Sequence, residues 1–392
     1  MLVTNLTFGG AEAQVARLAG ELKTRGWEVA VVCLTEPDAH VNEIESQGIS
    51  IHRLRIRRRF PDPRAIFRLC GLIKCFRPDV VHCHMFHANL LGRITRIFCR
   101  IPALVCTVHN LRETSERGGP TWHKERLYRL TDGLADQTTV ICKAAFDRYV
   151  QVGAVPQERL RVIPNFIDTQ YFSPQSDRRI KARRALGFKK EFVWLAVGRL
   201  VKQKDYPNLL RAVHKLGTEP MTMVVAGGGP LAGELRDLLI RLELPAKVRF
   251  LGTSESILDL YNAADAFVMS SQFEGLSVAL LEASSMALPA VVTDAGGNAE
   301  IVRHEATGYV VPRGDPTALS DAMRQMMRNP EPERRAMGQN ARAVCIGRYR
   351  TGIVVQQWLD LYTEVRLQNL SPHRFTPSSP RDEKTSMRRQ IQ

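Results

Sequence analysis

Two carboxylates and a predicted helix start give the segment 270–282 its chemical character. Glu274 and Glu282 are eight residues apart. Between them are the residues that would open a helix: Gly275, Leu276, Ser277 and Val278. The free amides of a helix start and the Ser277 hydroxyl suit a phosphate, and carboxylates suit sugar or ribose hydroxyls. The pattern indicates a site for a phosphorylated sugar, although Glu282 taken alone could be an exposed helix charge.

A basic loop is the second pattern, and it leaves a predicted strand through Gly198. Arg199 supplies a planar guanidinium fork, and Lys204 supplies a flexible ammonium. Together they can neutralise a diphosphate leaving group without a metal ion. The alternative is a solvated basic loop. The glycine-rich turn at 226–231 is a weaker signal, because such turns after strands are often purely geometric.

Three histidines, His82, His84 and His87, follow another predicted strand with Cys83 among them. Histidine and cysteine are zinc ligands, so a metal site is one interpretation. His82 and His84 point to the same face at the strand end, whereas His87 begins a helix. We therefore expect these side chains to line a cleft rather than to hold a metal.

Basic residues are concentrated in one part of the first half. The run at 53–60 and the helix predicted after it carry these residues: Arg53, Arg55, Arg57, Arg58, Arg59, Arg64, Arg68, Lys74 and Arg77. One interpretation is a solvated face. The other is contact with an anionic membrane, where each basic residue contributes about 1 kcal/mol. Nucleic-acid binding is disfavoured, because the interleaved aromatic residues of single-strand platforms are missing.

Length and composition indicate two α/β domains in a reducing compartment. A chain of 392 residues exceeds the usual size of one core. The net charge of +15 points to an acidic partner. Eight scattered cysteines without a Cys-x-x-Cys pair indicate free thiols. Apolar runs are too short to span a membrane and the N-terminus lacks a secretory pattern, so we expect a cytoplasmic protein, peripheral on the inner face of the membrane.

Short β-branched runs alternate with amphipathic stretches in both halves, the pattern of a parallel sheet covered by helices. Strands are predicted at 2–5, 28–34, 49–55, 80–83, 103–108 and 137–141, and then at 192–197, 221–226, 248–251, 266–269, 290–293 and 308–311. The predicted division is a first Rossmann-like domain at 1–170, a linker at 171–185 and a second Rossmann-like domain at 186–348. A helix at 349–369, with an apolar stripe at Val354, Trp358, Leu361 and Tyr362, should cross back to the first domain. The Pro/Ser-rich tail at 370–392 should be disordered.

Several of these motifs together resemble glycosyltransferase family 4. They occur in the family's order at 9–12, 107–110, 162–168, 198–204, 227–230 and 250–252, followed by the Glu274 and Glu282 pair. The resemblance implies a GT-B fold, in which two Rossmann-like domains face each other across a cleft. It also implies a UDP- or GDP-sugar donor and retention of anomeric configuration. Phe166 stands where the family usually has glycine.

The resemblance also implies roles for individual residues. Arg199 and Lys204 would hold the diphosphate, Glu282 the ribose hydroxyls and Glu274 the hydroxyls of the donor sugar. His109 would reach the donor sugar from the first domain. The turn at Gly9 and Gly10 would border the donor phosphates and the acceptor.

The sequence therefore predicts a retaining glycosyltransferase that acts on a glycan or lipid-linked acceptor, in cell-surface polysaccharide or glycolipid biosynthesis. No cofactor or metal is expected, since the chain lacks the Asp-x-Asp triplet of the other major glycosyltransferase fold. Two alternatives remain open: a glycan phosphorylase of the same architecture, and a non-catalytic nucleotide-sugar-binding protein.

Overall fold

Two parallel sheets with helical layers organise the chain in a computed structural model that describes residues 1–56, 63–111, 122–253 and 256–370. Arg57, Arg58, Arg59 and the tail from residue 371 lie outside the described residues, so the expectations placed on them stay predictions. In the described ranges, no helix is both long enough and apolar enough to cross a bilayer.

The first sheet has seven parallel strands in the order β3-β2-β1-β4-β5-β6-β7. Its strands are β1 Leu2–Val3, β2 Ala30–Cys33, β3 Ser50–Arg53, β4 Val80–His84, β5 Ala103–Val108, β6 Gln137–Val140 and β7 Leu160–Val162. The order reverses direction between β1 and β4. Ligands of open parallel sheets bind beyond the carboxyl ends of the strands at such a switch point.

The second sheet has six parallel strands in the order β10-β9-β8-β11-β12-β13. Its strands are β8 Phe192–Val197, β9 Met221–Ala226, β10 Val248–Gly252, β11 Ala266–Met269, β12 Ala290–Thr293 and β13 Gly308–Val311. Here the switch point lies between β8 and β11, which are the strands that lead into the basic loop and the glutamate segment.

Helices cover both sheets. Those of the first half are α1 Gly10–Thr24, α2 Val41–Glu45, α3 Arg64–Phe76, α4 Phe86–Phe98, α5 Trp122–Thr131 and α6 Lys143–Gln151. Those of the second half are α7 Ser176–Ala185, α8 Tyr206–Lys215, α9 Ala232–Arg241, α10 Ile257–Ala263, α11 Val278–Ser285, α12 Asn298–Ile301, α13 Pro316–Arg328, α14 Glu331–Arg348 and α15 Thr351–Leu370. The predicted fold class, α/β with two Rossmann-like sheets, is confirmed.

Helix α7 occupies most of the segment that was expected to be a linker. Its sequence is highly charged and has no apolar stripe, which is why composition alone resembles a linker. The helix packs against α10. Arg179 and Arg183 both bind the carboxylate of Asp265, so ion pairs fix a helix that hydrophobic periodicity does not reveal.

Helix α15 returns to the first domain, as predicted. Val354, Trp358 and Tyr362 are buried in one cluster with Val3 and Val15. An ion pair between Glu364 and Arg161 adds a polar contact at 2.8 Å. The crossing helix is therefore part of the first domain's core.

The two domains touch directly along their switch points. A Cβ atom on Gly10 would lie 3.2 Å from Cγ2 of Val278, and one on Gly275 would lie 2.5 Å from the carbonyl oxygen of His109. Buried apolar side chains of both domains, including Ile141 and Leu276, form one continuous cluster. The contact between the domains consequently includes several residues expected at the donor site, among them Gly10, His109, Gly275 and Val278.

Candidate active site

An ion pair at the second sheet's switch point joins the basic loop to the glutamate segment. Lys204, at the end of a 3₁₀ turn after β8, places Nζ 2.6 Å from Oε1 of Glu274. The Ser271 hydroxyl donates to the same oxygen at 2.6 Å. Glu274 is only 5% exposed, so this ammonium and hydroxyl hold a buried carboxylate in a fixed place.

The helix that follows Glu274 presents its N-terminus at the same point. Helix α11 begins at Val278, the last of the four residues expected to open it, and Ser277 caps it by accepting a hydrogen bond from the amide of Leu280. Within the described residues, the amides of Leu276, Ser277 and Val278 donate to no backbone or side-chain acceptor. Unpaired amides at a helix start form an anion site.

Glu282 is buried on the second turn of α11, so the alternative of an exposed helix charge is wrong. It is 9% exposed, with Oε1 3.3 Å from Nη2 of Arg17 and Oε2 3.0 Å from the hydroxyl of Tyr261. Burial raises the pKa of the carboxyl group, while Arg17 and Tyr261 oppose that shift. Arg17 comes from α1, so the first domain supplies the counter-charge.

Arg199 differs from Lys204 because it is exposed. In the described part of the chain its guanidinium makes no hydrogen bond or ion pair. The glycine-rich turn supports its loop: the amide of Leu200 donates to the carbonyl of Gly228 at 2.9 Å. Gly227 has a φ of +140°, and a Cβ there would lie 2.1 Å from the carbonyl oxygen of Gly198. The turn's glycines therefore allow close backbone packing beneath the basic loop.

His109 follows β5 in the first domain and lies against Gly275. Its Nε2 is 3.1 Å from Nδ1 of His84. Burial lowers the pKa of His109 to about 4 and that of His84 well below its ordinary value, so both rings are neutral near pH 7. Nδ1 of His109 and Nε2 of His84 are buried without a hydrogen-bond partner among the described residues.

His82 is committed to structural contacts. Its Nδ1 is 2.6 Å from the hydroxyl of Tyr362, and its Nε2 is 2.6 Å from the hydroxyl of Thr107. Across the ranges that the structure describes, no cluster of three or more His, Cys, Asp or Glu residues could hold a metal ion. The histidines instead link α15 and the end of β5 to the region around His109.

The structure brings most of the predicted site residues into contact. Lys204 meets Glu274, His109 meets Gly275, and the turn at Gly9 and Gly10 meets the first residue of α11. Arg199 lies in the same loop as Lys204, and among the described residues it contacts none of the other predicted site residues. Leu276 contributes its carbonyl, which accepts a hydrogen bond from Nδ2 of Asn165 at 2.7 Å.

Four side chains near the site were missed by sequence reasoning: Ser271, Tyr261, Arg17 and His84, the last having been predicted only to line a cleft. Arg17 carried a signal, because it follows Gly10 and Gln14 at helical spacing on a largely apolar helix. Tyr261 carried none, since a lone aromatic residue in a predicted helix resembles any core residue. Their contacts with Glu282 join segments that are far apart in the sequence.

Comparisons with known proteins find glycosyltransferases that resemble this chain. The model described as Glycosyltransferase Family 4 matches residues 8–171, and the model Glycosyl transferases group 1 matches residues 178–344. The chain is 28% identical over 332 residues to an uncharacterized glycosyltransferase of Methanocaldococcus jannaschii, covering 80% of this chain and 83% of that protein. It is 28% identical over 272 residues to the Escherichia coli UDP-Gal:alpha-D-GlcNAc-diphosphoundecaprenol alpha-1,3-galactosyltransferase, covering 67% and 70%.

The fold matches solved structures over most of the chain. Anabaena HepE in complex with UDP superposes with a TM-score of 0.82 at 21% identity, covering 93% of this chain and 98% of that one. WaaG, a glycosyltransferase involved in lipopolysaccharide biosynthesis, gives a TM-score of 0.71 at 17% identity, covering 93% and 100%. With two matching family models and two Rossmann-like sheets, the chain belongs to the GT-B glycosyltransferases of family 4.

Proposed function

We propose that this glycosyltransferase moves a sugar from a UDP- or GDP-sugar to a hydroxyl of a glycan or lipid-linked acceptor, with retention of anomeric configuration. The observation that carries the proposal is the pairing of Lys204 with Glu274 beside the open N-terminus of α11. The ammonium and the free amides there suit the diphosphate of such a donor, and the carboxylate suits its sugar hydroxyls. A relative named for UDP-Gal and a neighbour solved with UDP support this donor class.

The diphosphate would lie between the basic loop and the start of α11. Lys204 and the amides of Leu276 to Val278 supply fixed donors, and the exposed Arg199 can turn toward the ligand. Because these groups are positively polarised before the sugar–oxygen bond breaks, they stabilise the charge that develops on the leaving group. This arrangement needs no metal ion or other cofactor.

The donor sugar would meet Glu274 and His109. Lys204 and Ser271 both bind Oε1 of Glu274, and Oε2 has no partner among the described residues. That oxygen can therefore accept hydrogen bonds from sugar hydroxyls. The neutral ring of His109 offers its unpartnered Nδ1 from the opposite domain. Gly275 allows the two domains to approach closely enough for both contacts.

Retention would follow from chemistry on one face of the sugar. No enzyme nucleophile is part of this proposal, in which the free Oε2 of Glu274 accepts hydrogen bonds from the sugar hydroxyls. Departure of the nucleotide diphosphate and attack by the acceptor would share one face, with a donor phosphate oxygen taking the acceptor proton. The protein's part is then electrostatic and positional.

An acceptor presented at a membrane fits the surface formed by α3 and α4, which we call the α3/α4 face. Phe67, Ile97 and Phe98 are 68%, 62% and 58% exposed, and the two phenylalanine rings are 6.4 Å apart. Neither helix contains an Asp or Glu, while α3 carries Arg64, Arg68 and Lys74. Exposed apolar groups among basic residues match an anionic bilayer.

Vesicle sedimentation tests this membrane contact. A Phe67→Ser, Phe98→Ser double variant should lose binding to anionic vesicles, and wild-type binding should weaken with salt. The control is Ile240→Ser, since Ile240 is equally exposed on the second domain. Equal binding by the double variant and the control would remove the α3/α4 face from the proposal.

A thermal-shift panel of nucleotide sugars, followed by a turnover assay, tests the catalytic proposal. A bound donor stabilises the fold by mass action, so the correct nucleotide sugar should raise the melting temperature. Release of UDP or GDP during turnover supports glycosyl transfer. Release of sugar phosphate from a free glycan would identify a phosphorylase, and donor binding without turnover would identify a nucleotide-sugar sensor.

A further inference from the structure

One face of helix α1 is directed at the second domain and the chain leading into it. Gly10, Gln14 and Arg17 are four and three residues apart, which places them on one side of the helix. Gln14 exchanges two hydrogen bonds with the backbone of Phe166: Nε2 donates to the carbonyl at 2.9 Å, and Oε1 accepts from the amide at 2.8 Å. Gly10 lies against Val278. These contacts place this face of α1, and with it Arg17, next to α11.

Arg17 reaches from this face to helix α11. Its Nη2 donates to Oε1 of Glu282 at 3.3 Å. Its guanidinium carbon lies 5.9 Å from the ring centroid of Phe172, which supports the group from the side. Its Nη1 is buried and has no hydrogen-bond partner in the described part of the chain. A buried guanidinium nitrogen without a partner leaves one strong donor for a ligand.

Glu282 can accept a ligand without losing these contacts. Arg17 occupies one position on Oε1, and Tyr261 occupies one position on Oε2. An ionised carboxylate offers about four lone-pair positions. Two hydroxyl groups of a ribose can therefore be bound while Arg17 and Tyr261 stay in place. Glu282 can therefore bind Arg17 of the first domain and a nucleoside at the same time.

The charge on Glu282 depends on its neighbours. Burial raises the pKa of its carboxyl group, and Arg17 from α1 and Tyr261 from α10 lower it. The hydrogen bond with His40 lowers the pKa of Glu43 in α2, and the charge of Arg17 adds to that shift. Arg17 is the cation among these neighbours that binds Glu282 directly. Without it, more of the carboxyl group would be protonated near neutral pH.

We propose that Arg17 is a positioning residue of the donor site, which keeps Glu282 ionised for the ribose and couples nucleotide binding to the contact between the two domains. The ribose part rests on the proposed function, whereas the coupling between domains rests on the Arg17–Glu282 contact itself. A residue of the first domain thereby takes part in recognising the nucleotide.

Calorimetric titration of UDP and GDP into the full chain tests this role. The proteins are wild type, Arg17→Met, Arg17→Lys and the control Arg25→Met, an arginine at the end of the same helix that pairs with Glu21. Titrations run from about pH 6 to about pH 8. A partly exposed arginine contributes at the lower end of the range of strengths found for such ion pairs. Arg17→Met should therefore bind the nucleotide about tenfold more weakly at the acidic end. Its affinity should recover as pH rises and Glu282 ionises.

The remaining proteins define the expected pattern. Wild type and Arg25→Met should change little over this pH range, and Arg17→Lys should restore most of the affinity. Small-angle scattering should show a larger radius of gyration for nucleotide-free Arg17→Met than for wild type.

Two results would overturn the inference. The first is an Arg17→Met protein that binds the nucleotide as well as wild type, or better, at every pH. The second is an unchanged radius of gyration. If wild type binds neither nucleotide, the proposed function and the ribose part fail together, and the scattering comparison alone decides the coupling.

Discussion

Glu274 and Glu282, the two glutamates of the segment 270–282, have contrasting surroundings. Glu274 is held by Lys204 and Ser271, both from its own domain. Glu282 is held by Tyr261 from its own domain and by Arg17 from the other. Contacts within one domain therefore fix the carboxylate that would bind the sugar and the lysine that would bind the diphosphate. The part that would bind the ribose depends on contact between the two domains.

The largest effect should come from a substitution in the part of the site that is formed within the second domain. Lys204→Met keeps the apolar stem and removes the charge that would stabilise the leaving diphosphate. By comparison with the loss of one oxyanion donor, it should cost roughly 2 to 4 kcal/mol, or about thirty- to a thousand-fold in rate. Steady-state turnover measures the loss, and circular dichroism should show an unchanged fold. The matched control is Lys202→Met in the same turn, where the lysine is exposed. Near wild-type turnover by Lys204→Met would remove Lys204 from the mechanism.

The contact between the domains should be the next most sensitive feature. Gly275→Ala would place Cβ 2.5 Å from the carbonyl oxygen of His109 and 2.7 Å from Cδ1 of Ile141. Backbone cannot yield as a flexible side chain does, so the domains should separate locally at a cost of about 1 to 3 kcal/mol. Donor affinity should fall and scattering should show expansion. Gly233→Ala is the control, because nothing lies within 4 Å of a Cβ at that helical position. Unchanged donor affinity in Gly275→Ala would show that this contact is not needed.

Acid should weaken the first domain's side of the site. Burial lowers the pKa of His109 from its ordinary 6.5 to about 4. The unfolded chain therefore takes up a proton first as the pH falls, so stability is full above pH 6.5 and is lost below it. From pH 7 to about 5.5 this histidine should cost about 1 kcal/mol. Urea unfolding at the two pH values measures the change, and His109→Gln should reduce it. An equal loss in His109→Gln would assign the pH dependence to other groups.

The smallest effect should come from Tyr261→Phe. It removes one hydrogen bond to Glu282 and leaves Arg17 in place, at a cost of about 0.5 to 1.5 kcal/mol. The corresponding loss of nucleotide affinity should be several-fold and smaller than that of Arg17→Met at the acidic end. Calorimetry on both variants compares them. A larger loss in Tyr261→Phe would show that the intradomain partner, rather than the first domain, controls Glu282.

The second sheet was predictable in detail because its buried strands are short, continuous apolar runs. The observed bounds of β8, β9, β11, β12 and β13 equal the predicted ones. The prediction of the first domain was less complete. Strand β7, Leu160–Val162, has three residues at the sheet edge, and α2 and α6, which were not predicted, have five and nine residues.

The residues around the site were only partly predictable, for a different reason. Motifs located Lys204 and Glu274, and the structure adds that they bind each other. The contact between Arg17 and Glu282 joins positions 265 residues apart. Helical spacing assigns Arg17 to a face of α1 and does not identify what that face meets. Contacts between domains depend on how complete surfaces fit together, which local patterns do not encode.

Titration of UDP and GDP in the presence of a chelator tests the central claim most directly, since it requires neither the acceptor nor the donor sugar to be known. One of the two nucleotides should bind wild type and Lys202→Met equally well without metal. Lys204→Met should bind it at least about tenfold more weakly, a difference of about 1.4 kcal/mol. If neither nucleotide binds, if binding requires added magnesium, or if Lys204→Met binds as wild type does, the site between the basic loop and α11 is not the metal-independent donor site proposed for this enzyme.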